Sequence, residues 1–117
     1  GMWSNCKKTG DLVFISGLVA VSTEGEVIAP TDAHEQACCI FSYIQKHLEA
    51  AGGCMNDLAK MTIFLTDIRD RPAVLEARKK FFSNDFPCST LIEVDALIDP
   101  RMLVEIEGMA VLGAGKN

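Results

Sequence analysis

The chain lacks a long apolar run, a cysteine pair at metal-binding spacing and a concentrated positive patch, and each absence removes a class of function. No stretch approaches the roughly 20 apolar residues a membrane-spanning helix needs, and the start, GMWSNCKKTG, carries no signal-type apolar region. A soluble, cytoplasmic protein with no membrane partner is therefore expected. Gly1, before Met2, reads as a remnant of cloning. Five cysteines (6, 38, 39, 54 and 88) include no C-x-x-C pair, and His34 and His47 lie 13 residues apart. No disulfide framework, metal site or cofactor is signalled, and the cysteines are expected to be free, small, buried hydrophobes. The formal charge is −5, and the eleven basic residues are scattered except for Lys7-Lys8 and Arg78-Lys79-Lys80. Nucleic-acid binding normally needs a concentrated basic face, so that partner is disfavoured.

What is present is an ordinary globular composition, 49% hydrophobic and 23% charged over 117 residues. That length suits a single domain spanning 1–117, with residues 1–9 as an N-terminal lead. LVFISG at 12–17 reads as a strand ended by Gly17, and LVAVS at 18–22 as its hairpin partner before the turn at 23–26. Asp32-x-x-Glu35 opens a long helix whose apolar face is Ala37, Ile40, Phe41, Ile44, Leu48 and Ala51, stopped at Gly52-Gly53. LAKMTIFLT at 58–66 is a strand. Asp70-Arg71-Pro72 then opens a second helix with Val74, Ala77 and Phe81 as its stripe. Pro87 precedes the strand STLIEV at 89–94, and the loop through Asp99-Pro100 leads to LVEIEGMAV at 103–111.

The order β-β-α-β-α-β-β predicts an α+β domain of two layers, two helices on one face of a mixed sheet. The other sheet face then has nothing of its own to cover it, which points to self-association with clefts between subunits. On the last strand Glu105 and Glu107 share one face, while Val104, Ile106 and Ala110 take the other.

The ordered set GDLVFISG (10–17), EAAGG (49–53), KMTIFLTDIRD (60–70), KFF (80–82), FPCST (86–90) and VEIEGMAV (104–111) resembles the YjgF family, also called Rid or L-PSP. The resemblance implies a chorismate-mutase-like subunit, a homotrimer with a central barrel, and small-molecule clefts at its interfaces. Founding members hydrolyse enamine or imine intermediates such as 2-aminoacrylate, and an endoribonuclease label is also attached to the family. In deaminating members a Pro-Ala-Arg-Ser/Thr motif supplies an arginine for the substrate carboxylate. Here the motif reads Pro87-Cys88-Ser89-Thr90, so Ser89 stands in the arginine's place. A serine offers one neutral hydroxyl where an arginine offers a charged fork.

The family's site acid corresponds to Glu105, which by resemblance is the catalytic candidate; the other reading is a structural ion pair with a neighbouring subunit. Glu107 is read as an interface charge. Ser16 and Gly17 either line the cleft or simply end a strand, and Ser89 and Thr90 either bind a polar ligand group or serve only as strand residues. Leu18, Leu75 and Leu91 replace polar family positions and make the cleft more apolar, which points to a ligand less acidic than an imino acid. Trp3 could fill the space of a missing family tyrosine. Arg101 as a replacement cation is disfavoured, because four residues along a strand separate it from Glu105 by roughly 13 Å. Cys88 is expected to be inert, and His34 to sit in the first turn of its helix. The expected protein is a small-molecule-binding homotrimer without 2-aminoacrylate deaminase activity. The alternative is a hydrolase acting on a non-acidic imine or enamine through Glu105.

Overall fold

The long amphipathic segment forms α1, Ala33–Ala50, and its sequence explains both ends. Asp32 caps it, accepting the Glu35 N–H at 3.1 Å. Gly52, at φ +95°, takes the left-handed conformation that ends it. Ala37, Ile40, Phe41, Ile44 and Leu48 are fully buried on one face. The second helix, α2, is Arg71–Arg78 with Pro72 in its first turn, where a missing N–H costs nothing. Phe81 and Phe82 follow it and pack on Phe41 at ring-centroid distances of 5.5 and 5.8 Å. This computed structural model describes residues 1–83 and 85–115.

Five strands form one mixed sheet: β1 Cys6–Thr9, β2 Leu12–Val19, β3 Leu58–Leu65, β4 Cys88–Glu93 and β5 Val104–Val111. Their spatial order is β1-β2-β5-β3-β4. β3 and β4, joined through α2, are parallel, and every other pair is antiparallel. Both helices lie on one face, over Val13, Ile15, Met61, Ile63, Leu65, Val104 and Ile106. The two-layer α+β architecture and the β-β-α-β-α-β-β order are those expected.

The opening hairpin lies elsewhere. Its turn is Gly10-Asp11, with Gly10 at φ +57°, and Lys7 and Lys8 belong to an edge strand paired with β2. A glycine at positive φ in a two-residue loop suits the right-handed twist of the strands beside it, and lysines protect an open edge. Residues 6–9 are thus part of the sheet and not only a lead. Gly17 does not end its strand. The register passes from Ile15 opposite Gly108 to Leu18 opposite Ile106, so Ser16 and Gly17 together oppose Glu107 in a β-bulge. Of the segment 18–22, only Val21 makes a further β contact, an isolated bridge to Val27.

Two buried polar residues tie loops to this frame. Gln36 donates through Nε2 to the carbonyls of Ala29 (3.1 Å) and Arg101 (2.9 Å), and its Oε1 accepts the Leu103 N–H at 2.8 Å. Asp57 accepts from Gly115 N–H at 2.8 Å and Cys54 N–H at 3.1 Å. Burial pushes the Asp57 carboxyl up, but the backbone N–H donors outweigh it and hold the group below its ordinary value. None of the five cysteines is buried: Cys54 and Cys88 are exposed and the others half-buried, because Cys38 and Cys39 lie beside the apolar stripe, Cys6 and Cys88 at strand starts and Cys54 in the turn after α1.

Candidate functional site

The sheet face away from the helices carries side chains in cross-strand rows. Lys7, Phe14, Met109, Lys60 and Cys88 make one row, and Glu107, Thr62 and Thr90 the next. Val19, Glu105, Phe64 and Ile92 make a third. Phe14 and Ile92 are 45% and 43% exposed, so the face presents apolar surface that none of the described residues covers. A concavity of about 410 Å³ lies on it, lined by Phe14, Ser16, Lys60, Thr62, Glu107 and Met109 among others. Glu105 stands one row beyond.

Glu105 and Glu107 share this face, as their spacing predicted. Burial pushes the half-buried Glu105 carboxyl above its ordinary value, and the Glu107 charge adds to the shift. The bulge gives Glu105 its place. A Cβ on Gly17 would sit 2.8 Å from Glu105 Cδ and 3.2 Å from Cγ, so only glycine leaves the carboxylate room to lie over the β2 backbone. Ser16 turns its hydroxyl and its N–H to the Asn5 carbonyl, at 3.3 and 3.0 Å.

Ser89 faces the other way. It pairs with buried Met61, on the helix side of the sheet, whereas Thr90 pairs with Thr62 in the Glu107 row. Leu91 also faces the helices, packed against the core, and Leu75 is half-buried on α2. The chain therefore brings Glu105, Gly17, Ser16 and Thr90 to one face, and Ser89, Leu75 and Leu91 to the other.

Arg78 stands out in the sequence only as part of the basic run Arg78-Lys79-Lys80. It lies at the end of α2, and its Nη2 donates to Ser89 Oγ at 3.0 Å. Burial holds its pKa below the usual arginine value, with the nearby Arg71 charge adding to the effect. Lys60 and Thr62, missed as site residues, were legible in principle, since strict alternation in β3 places them opposite Met61 and Ile63. Arg101 is committed elsewhere. It holds Asp99 through N–H bonds of 2.8 to 3.0 Å, and those bonds lower the Asp99 carboxyl to about 2. Trp3 is 74% exposed, its indole N–H on Asn5 at 3.2 Å. His34 sits in the first turn of α1, with Nδ1 on Glu35 at 3.1 Å. Among the described residues no group of three or more His, Cys, Asp or Glu is placed to hold a metal ion, and no helix is long and apolar enough to cross a membrane.

A two-layer α+β domain whose open sheet face no described residue covers, with a bulge glycine under a carboxylate and a parallel edge strand, belongs to the chorismate-mutase-like class of small domains. Within that class the chain belongs to the YjgF/Rid family: the model described as Endoribonuclease L-PSP matches residues 1–112. A RutC family protein of Pyrococcus abyssi is 31% identical over 111 residues, 94% of this chain and 86% of that protein. A 2-iminobutanoate/2-iminopropanoate deaminase of Dermatophagoides farinae is 28% identical over 112 residues, covering 96% and 87%. Among solved structures, RidA of the Antarctic bacterium Psychrobacter superposes with a TM-score of 0.88 at 32% identity, covering 96% of this chain and 89% of that one. A Pseudomonas aeruginosa protein of unknown function superposes at 0.87 with 36% identity, covering 97% and 83%.

Proposed function

We propose that this protein is a homotrimer binding a small molecule in clefts between subunits, without the 2-aminoacrylate deaminase activity of arginine-bearing relatives. The observation that carries this reading is Ser89 at the tip of β4, where deaminating members hold their substrate carboxylate with an arginine. The uncovered face, with Phe14 and Ile92 exposed around a pair of carboxylates, supports assembly from several copies. Glu105 supplies the acid of the cleft, Gly17 its room, and Thr90 a polar neighbour on the same face.

The test is an assay of 2-aminoacrylate hydrolysis by wild type and by Ser89→Arg. Negligible wild-type turnover with a gain in the variant is the expected result, and efficient wild-type turnover overturns the proposal. One observation favours a second reading, a hydrolase acting on an imine or enamine. Burial raises the Glu105 pKa above the ordinary carboxylate value, the direction that favours taking up a proton from water or substrate.

A further inference from the structure

The helix layer carries a side-chain cluster that the cleft does not use. His34 and Cys38 stand four residues apart on α1, neighbours on its surface in a His-x-x-x-Cys spacing. Cys38 Sγ lies 3.9 Å from His34 Nε2, and His34 Nδ1 lies 3.1 Å from a Glu35 carboxylate oxygen. A carboxylate only accepts, so in the neutral ring Nδ1 carries the hydrogen and Nε2 turns its lone pair toward the sulfur. An imidazole held from behind by a carboxylate, with its second nitrogen beside another donor, is the arrangement in which histidine binds a metal.

Distance, donor type and charge narrow the choice of ion. Bonds of about 2.3 Å to a thiolate and about 2.0 Å to an imidazole nitrogen set two donors about 3.5 Å apart at a tetrahedral angle and about 4.3 Å apart in a line. The observed 3.9 Å falls between, so an ion fits the pair with small side-chain movements. Among the described residues no third His, Cys, Asp or Glu joins the two to make a metal-holding group. Zinc, which takes four ligands, is only half served by such a pair, whereas copper(I) is content with two and favours thiolate sulfur. Cys38 packs half-buried against the core, and the His34 side chain is 27% exposed, so the pair is sheltered yet reachable. A monovalent cation cancels the thiolate charge and leaves a neutral assembly there; a divalent one leaves a net charge to be desolvated. Asp32, Glu35 and, from α2, Glu76 bring negative charge to the pair, and Lys80 opposes them. Burial pushes the Cys38 thiol above its ordinary value, so its proton stays until a metal displaces it.

We infer that His34 and Cys38 form a two-donor site for a soft monovalent cation of the copper(I) type, with Glu35 as the positioning residue behind the imidazole. Binding breaks the Cys38 S–H bond, forms one metal–sulfur and one metal–nitrogen bond, and releases the thiol proton to water; no electron is transferred. The site lies on the helix layer and not on the open sheet face, so it stands or falls independently of the cleft.

The experiment titrates the full chain, with its thiols reduced and oxygen excluded, with copper(I) in competition with the chromogenic chelator bicinchoninate. It is repeated on Cys38→Ser, His34→Gln, Glu35→Gln and, as an exposed-thiol control, Cys54→Ser, with circular dichroism as the check on folding. The tightest equivalent of copper(I) should be lost in Cys38→Ser, weakened about tenfold or more in His34→Gln and in Glu35→Gln, and unchanged in Cys54→Ser. X-ray absorption of the wild type with one equivalent bound should show one sulfur and one nitrogen on copper, and this measurement decides if a variant fails to fold. Retention of the tightest equivalent in Cys38→Ser, its loss in Cys54→Ser, unchanged affinity in a folded His34→Gln, or a copper shell of sulfur alone overturns the inference. Zinc bound by the same two residues as tightly as copper(I) overturns the monovalent assignment. Weakening in His34→Gln with none in Glu35→Gln upholds the two donors and removes the role given to Glu35.

Discussion

Ser89 and Glu105 face opposite sides of one sheet: Ser89 is paired with buried Met61, and Glu105 with Phe64 on the open face. No side-chain rotation within one subunit joins them. If both serve one cleft, a second copy must supply one of the two.

Assembly is thus the first expectation. Sedimentation equilibrium should give three times the 12.7 kDa chain mass. Phe14→Glu or Ile92→Asp, placing a charge on the uncovered face, should shift the population to monomer. A wild-type monomer at micromolar concentration would refute the trimer.

Gly17 controls the position of Glu105. In Gly17→Ala the new Cβ meets the flexible end of Glu105 and not backbone, so the carboxylate moves outward at a stability cost of about 1 kcal/mol or less. Its raised pKa should fall toward the ordinary carboxylate range, read by carbon-detected NMR titration. An unchanged titration curve would show that the glycine does not set the acid's environment.

The raised Glu105 pKa also fixes the sign of a stability effect. The folded state disfavours the ionised form. The penalty is absent below the unfolded pKa, about 4.3, grows as pH rises toward the folded value, and is complete above it. Glu105→Gln should therefore stabilise the protein at neutral pH and lose that advantage in acid. The group is partly solvated, so the gain is below about 1 kcal/mol. Urea unfolding of both proteins at the two pH values measures it, and a destabilised variant at neutral pH would point to an ion pair instead.

Gln36→Leu keeps much of the side-chain volume but orphans the Ala29 and Arg101 carbonyls and the Leu103 N–H. A loss of about 3 kcal/mol is expected, measured by denaturant unfolding. Hydrogen exchange should rise first around 99–103, which the side chain pins to α1.

Much of the fold was legible because local periodicity carried it. The 3.6-residue stripe gave α1 with its aspartate cap, and the alternation of VEIEG put Glu105 and Glu107 together opposite Val104 and Ile106. The first hairpin was misplaced because both Gly10 and Gly17 are punctuation. Sequence does not say which glycine turns the chain and which accommodates a bulge; pairing with β5 decided it. Of the candidate site, Glu105, Ser16, Gly17 and Thr90 do gather on one face.

Family resemblance and residue identity by themselves determined the architecture and the shared face of the two glutamates. Only the tertiary structure decided that Ser89 turns away from Glu105 and toward Arg78. Residues 78 and 89 are separated by a turn and a proline, and their contact depends on how α2 settles across β3 and β4. That packing follows from burying Val74 and Ala77 as a unit, which local periodicity identifies but does not orient.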